Sequence, residues 1–157
     1  MNALDLLMED HQKVSQLFEQ AEGTENEKKK QQLFEQIKTE LETHTHIEET
    51  IFYPALQEQE ELKDLVLEAF EEHKQVKTLL REISALSDGS EKFDAKLKVM
   101  KENVEHHVEE EENDMFPKVE QFFDETQLEE LGQQMEAEKK KFGKQQRATS
   151  SSAGGRK

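Results

Sequence analysis

At 157 residues, with 37% charged and 32% apolar side chains and neither Cys nor Trp, the chain suits one helical domain and excludes disulfide and thiolate chemistry. Its net charge is −16, and seven of its 21 basic residues follow Glu138, after which no acidic residue occurs. The preceding stretch sets 14 basic against 37 acidic side chains, a field that repels phosphate backbones and argues against nucleic acid as a partner.

In chain order, the opening "MNALDLLMEDH" holds neither a basic leader nor a long apolar run, so no targeting segment and no membrane span are expected, and the location expected is cytoplasmic. Leu4, Leu7, His11, Val14, Phe18 and Ala21 recur at steps of three and four, one stripe of a helix over roughly residues 2–21. "GTENEKKK" then signals a turn around Gly23. A second stripe reads Leu33, Ile37, Leu41, His44, Glu48, Phe52 and Leu56. A third starts near Leu62 and reads Val66, Ala69, His73, Val76, Leu80 and Ile83; it stops at Ser87, Asp88 and Gly89, with Ser90 as the next N-cap. The fourth carries Phe93, Leu97, Met100, Val104, His107, Glu111, Met115, Val119 and Phe122. A shorter fifth segment offers Leu128, Leu131 and Met135 to the bundle, and the Ser/Gly/Lys-rich remainder has too little apolar content to offset the entropy of ordering.

The second and fourth stripes are copies. His44, Glu48, Glu49 and Pro54 recur as His107, Glu111, Glu112 and Pro117 at a constant offset of 63, and His11 with Val14 and Leu17 is echoed by His73 with Val76 and Leu79. Two like hairpins make an up-down-up-down bundle with approximate twofold symmetry. The expected fold is therefore all-α: a four-helix bundle over residues 1–143 with a short C-terminal helix, then a disordered basic tail over 144–157.

Each main helix places one histidine where an apolar residue would continue its stripe, and helices 2 and 4 add a glutamate one turn later. Two glutamates buried near each other cost several kcal/mol apiece unless paired or metal-bound, and the stripes contain no Lys or Arg. Four imidazoles and two carboxylates converging at one depth thus call for a cation. Six donors exceed a structural zinc site and divide into two metals bridged by two carboxylates; such pairs in helical bundles are usually iron or manganese, and iron is expected here. His46 and His106 fall off the stripes. Tyr53 does too, because its neighbour Phe52 holds the core phase. Glu49 and Glu112 read as surface or supporting residues. On helix 4, pairings of His106 with Glu111 or His107 with Glu112 stay open, and the repeat favours His107 with Glu111. Pro54 and Pro117 are expected to kink or end their helices, with Phe52 and Phe116 capping the site.

"DHQKVSQLF", "HTHIEETIFYPAL", "EEHKQVKTLL" and "HHVEEEENDMFPKV" resemble the haemerythrin-like, or HHE cation-binding, family over about residues 1–140. That resemblance implies a four-helix bundle with two non-haem iron ions bridged by carboxylates and an oxo or hydroxo species. It further implies His11, His44, His73 and His107 as terminal ligands and Glu48 and Glu111 as bridges. The oxygen carriers of the family have a fifth histidine one turn after the third-helix ligand; here Lys77 stands there, so both metals are expected to keep open positions. The function implied is binding of O2, peroxide or NO for sensing, storage or detoxification by a monomer. An oxidoreductase that decomposes peroxide or another small oxidant, and an iron-holding protein without turnover, are the alternatives.

Overall fold

The computed structural model describes residues 1–86 and 91–155, with side chains described as far as Gln146. The helix stop at Ser87, Asp88 and Gly89 and the cap at Ser90 therefore lie outside the described residues. Helix α1 spans Ala3–Glu22 and α2 Glu27–Ile47; a π-helical turn, Glu48–Phe52, carries α2 directly into α3, Tyr53–Leu56. After a 3-10 turn come α4, Lys63–Ser84, and α5, Glu91–Glu110; a second π turn, Glu111–Met115, continues into α6, Phe116–Phe122, and α7 runs from Glu125 to Gly155. Counting each π-linked rod once, this is an all-α bundle of five rods, with no strand among the described residues. No described helix is long and apolar enough to cross a membrane.

Local signals place the starts. Asn2 and Asn26 cap α1 and α2, each accepting at 2.9 Å a backbone N–H three residues on. Asp124 and Gln127 exchange backbone and side-chain bonds at 2.8 and 2.9 Å, a capping box that opens α7. α1 pairs with α2 and α4 with α5, while α7 lies against α1 and α2. The twofold expected from the repeat also holds in the stagger: eleven residues follow the histidine in both α1 and α4, and 17 and 16 residues precede it in α2 and α5.

The interior has two apolar clusters with a polar layer between them. Leu4, Leu7, Phe52, Leu56, Leu62, Val66, Phe116 and Val119 fill one end with Leu128, Leu131 and Met135 of α7. Val14, Phe18, Leu33, Phe34, Ile37, Leu80, Phe93, Leu97 and Met100 fill the other. Each buried Leu or Phe contributes about 1.5–3 kcal/mol, and these clusters offset the cost of what lies between. α7 is longer than a short closing helix, at 31 residues, and Gly132 lets it approach the N-terminus: a Cβ there would collide with the Met1 carbonyl oxygen.

Neither proline ends its helix. Pro54 and Pro117 each follow a π turn within the first residues of α3 and α6. The wider turn places Tyr53 five residues after Glu48, with its N–H on the Glu48 carbonyl, and Phe116 likewise on Glu111. The extra residue per turn rotates the side chains beyond it about the helix axis, and that rotation shapes the site.

Candidate metal centre

His11, His44, Glu48, His73, His107 and Glu111 all sit in the polar layer, and all six are buried. They form two groups that share both carboxylates: His11, His44, Glu48 and Glu111, then Glu48, His73, His107 and Glu111. In the first half His44 Nε2 lies 3.2 Å from Glu48 Oε1, and His11 Nε2 lies 3.1 Å from Glu111 Oε1. In the second, His73 Nε2 is 3.0 Å from Glu48 Oε1 and His107 Nε2 is 3.2 Å from Glu111 Oε2. Glu111 thus turns one oxygen to each half. The imidazole pairs match as well, with ring centroids 4.9 Å apart in both.

The Nδ1 atoms face outward to a second set of carboxylates. His11 meets Glu112 at 2.6 Å, His44 meets Asp10 at 3.0 Å, His73 meets Glu49 at 2.7 Å and His107 meets Glu72 at 2.6 Å. A carboxylate behind each imidazole orients the ring and strengthens Nε2 as a donor. Asp10 and Glu72 were not singled out from the sequence. Each directly precedes a stripe histidine but serves the histidine of the neighbouring helix. Glu49 and Glu112, which follow the buried glutamates, act across the two hairpins.

Lys77 supplies no donor to the centre; its Nζ lies 2.9 Å from both oxygens of Glu49. Tyr53 does reach in. Its hydroxyl donates to Glu111 Oε2 and stands 3.3 Å from His73 Nε2 and 3.4 Å from His107 Nε2. The expectation that Tyr53 lies off the stripe is corrected by the π turn, which buries Phe52 and Tyr53 together at 0% exposure. The twofold mate of Tyr53 is Phe116, which stacks on His11 at 6.2 Å with planes 9° apart. Phe52 packs edge-on against Phe116 in the apolar cluster beside the centre. His46 and His106 stay outside: His46 bonds Glu138 and stacks on Phe142, while the His106 side chain is 66% exposed.

Burial opposes charge on every group here, and pairing outweighs it. Burial pushes Glu48 up, yet the charge of His44 and hydrogen bonds within the cluster hold it well below the usual carboxylate range. Burial and the neighbouring Glu48 push Glu111 up, and His107 draws it below its ordinary value. Burial would depress His44, but Glu48 and Asp10 raise it to about 10; His73 and His107 are raised too, chiefly by Glu48 and Glu111. Tyr53 is pushed well above its ordinary value by burial and then by Glu111 and Glu48, so it keeps its proton. Glu48 and Glu111 thus favour the charged forms of His44, His73 and His107, and those imidazoles favour the carboxylates.

Even so, several atoms of the layer make no hydrogen bond. His11 Nε2, His44 Nε2, both Glu48 oxygens and Glu111 Oε1 are buried and lack a hydrogen bond. Five such atoms gathered in one layer of His and Glu side chains fit coordination of cations. Beside them lies a cavity of about 30 Å³ that touches all four histidines and is lined otherwise by Val14, Leu41, Thr45, Val76, Val104, Val108 and Asp10.

The hemerythrin HHE cation-binding domain model matches residues 2–119. A DNA nickase of Nostoc sp. is 29% identical over 142 residues, 90% of this chain, but the chain spans only 40% of that protein's length. The uncharacterized protein Rv2633c of Mycobacterium tuberculosis is 29% identical over 139 residues, 87% of this chain and 84% of that one. The crystal structure of a hemerythrin HHE cation-binding domain-containing protein from Mycobacterium kansasii, an Rv2633c homolog, is similar with a TM-score of 0.78 at 29% identity, over 90% of this chain and 87% of that one.

Proposed function

This chain belongs to the hemerythrin HHE cation-binding family, and we propose that it is a non-haem di-iron protein that binds O2, peroxide or NO. The observation that carries the reading is the set of five buried ligand atoms without a hydrogen bond, within two groups that share Glu48 and Glu111. His11 and His44 would hold one iron, His73 and His107 the other, with the two glutamates between them. Bound iron would supply Lewis acidity and redox capacity.

The chain's own residues set what can react there. The cavity of about 30 Å³ has room for about two water-sized atoms, which favours a small ligand of about two heavy atoms. A groove of about 190 Å³ between α1 and α5 shares His11, Val104 and Val108 with it and offers a way in. Tyr53 holds a proton at its hydroxyl within reach of the His73 and His107 half, which favours proton-coupled turnover of peroxide as the second reading. No nucleic-acid activity is carried over from the Nostoc relative, because the acidic body repels phosphate. The proposed protein is a cytoplasmic monomer.

Metal analysis of aerobically purified protein, with absorption spectra before and after peroxide, tests this. About two irons per chain and a spectrum that responds to peroxide are expected. One structural zinc, or a spectrum indifferent to peroxide and NO, would overturn the proposal.

A further inference from the structure

Helix α7 lies beyond the family match at 2–119, yet it reaches the candidate metal centre. Lys139 Nζ stands 2.5 Å from Asp10 Oδ1, and the other oxygen of Asp10 meets His44 Nδ1 at 3.0 Å. Asp10 is 5% exposed. On either side of Lys139 the helix is clamped: Glu138 bonds His46 at 2.7 Å, and Phe142 stacks on the same ring at 4.1 Å between centroids. Gln146 accepts from Thr43 at 3.3 Å one turn further on.

We infer that Lys139 is a positioning residue of the metal centre: by holding one oxygen of Asp10 it fixes the other behind His44 and so aims His44 Nε2 at the metal of the His11 and His44 half. This rests on the metal reading above. A carboxylate with a single imidazole partner can rotate about its last torsion. A second, charged partner fixes that torsion and shares the charge that Asp10 brings into the interior. The same device serves the other half from within the bundle, where Lys77 holds Glu49 and Glu49 holds His73. The twofold cannot supply it to Glu72, the mate of Asp10, because the chain has a single α7. Glu72 instead lies near His106 and Glu110. The segment outside the family match thus completes one half of the site.

The test is titration of Co2+ into metal-free full-length protein, read by absorption and calorimetry, for the unmodified chain, Lys139→Met, Lys139→Arg and the exposed control Lys140→Met. Loss of an outer partner of a ligand typically weakens metal binding about 10–100-fold. Lys139→Met is expected to weaken one of two Co2+ sites by about that factor and shift its spectrum, Lys139→Arg to recover most of it, and Lys140→Met to do nothing. Far-UV circular dichroism and melting of the metal-free variants separate this from lost folding. In an Asp10→Asn background, Lys139→Met is expected to add no further loss. An additional loss there, or equal affinities and spectra in all four proteins, would overturn the role of Lys139. Failure of the unmodified chain to bind Co2+ at all would overturn the metal reading itself.

Discussion

The two halves of the metal centre share a plan but not their neighbours. Each has two imidazoles 4.9 Å apart, each imidazole has a carboxylate behind it, and both halves draw on Glu48 and Glu111. Above the His73 and His107 half stands the Tyr53 hydroxyl; the equivalent place beside His11 holds the ring of Phe116. One turn after His73 is Lys77, tied to Glu49, while one turn after His11 is Ser15, which lines the groove between α1 and α5. The repeat builds two like groups of donors, and two differences at equivalent positions, Tyr53 against Phe116 and Lys77 against Ser15, give the halves different surroundings. The lesson is that duplication supplies the donors and divergence supplies the chemistry.

The largest effect is expected from breaking what the halves share. Glu111→Ala removes one oxygen from each half and leaves buried imidazoles without their countercharge, a loss of about 3–5 kcal/mol in the metal-free protein. Elemental analysis should find at least one metal gone and differential scanning calorimetry a clear fall in Tm. A variant with two metals and an unchanged Tm would show that the halves do not share this carboxylate.

Tyr53→Phe removes the hydroxyl that sets the two halves apart at this position without replacing a histidine or glutamate. Metal content is expected to hold and Tm to fall modestly as Glu111 loses its hydrogen bond, while peroxide consumption by the iron-loaded protein falls by about 100-fold, the lower range for losing a positioned proton donor. Unchanged peroxide turnover in this variant would mean that the difference between Tyr53 and Phe116 does not matter to reactivity.

The smallest effect is one of pH, and it reports on both halves. His44 is raised to about 10 in the metal-free fold, and His73 and His107 are raised as well. A raised imidazole stabilises the fold fully below its unfolded value near 6.5, and that contribution fades as pH climbs through about 10. Melting of the metal-free protein should therefore weaken between pH 7 and 10. Metal uptake at pH 7 should release protons, because Nε2 must be bare to ligate, and apparent affinity should rise with pH. Uptake with no proton release, followed with an indicator dye in weak buffer, would show that the imidazoles are already neutral.

The six buried His and Glu were legible in the sequence because each interrupts an apolar stripe at helical spacing, and because the offset of 63 repeats His44 and Glu48 as His107 and Glu111. Asp10 and Glu72 were not. Their partners are histidines of a neighbouring helix, and adjacency to His11 and His73 gives no sign of which ring they serve. An acidic residue beside four of the six, Asp10, Glu49, Glu72 and Glu112 next to His11, Glu48, His73 and Glu111, was the available signal. Tyr53 was misplaced for a different reason. Phase counting assumes 3.6 residues per turn throughout, and a π turn spends one residue more.

What the sequence determined by itself is the repeat, the five helices, their apolar stripes and the buried donors, because all of these come from period and composition along one helix at a time. Tertiary structure decided which carboxylate stands behind which imidazole, that Tyr53 rather than Phe52 faces the centre, and that Lys139 of α7 reaches Asp10. Those are contacts between side chains on different rods or beyond a change of helical pitch. Their geometry depends on how the rods pack and turn, which periodicity along one rod does not encode.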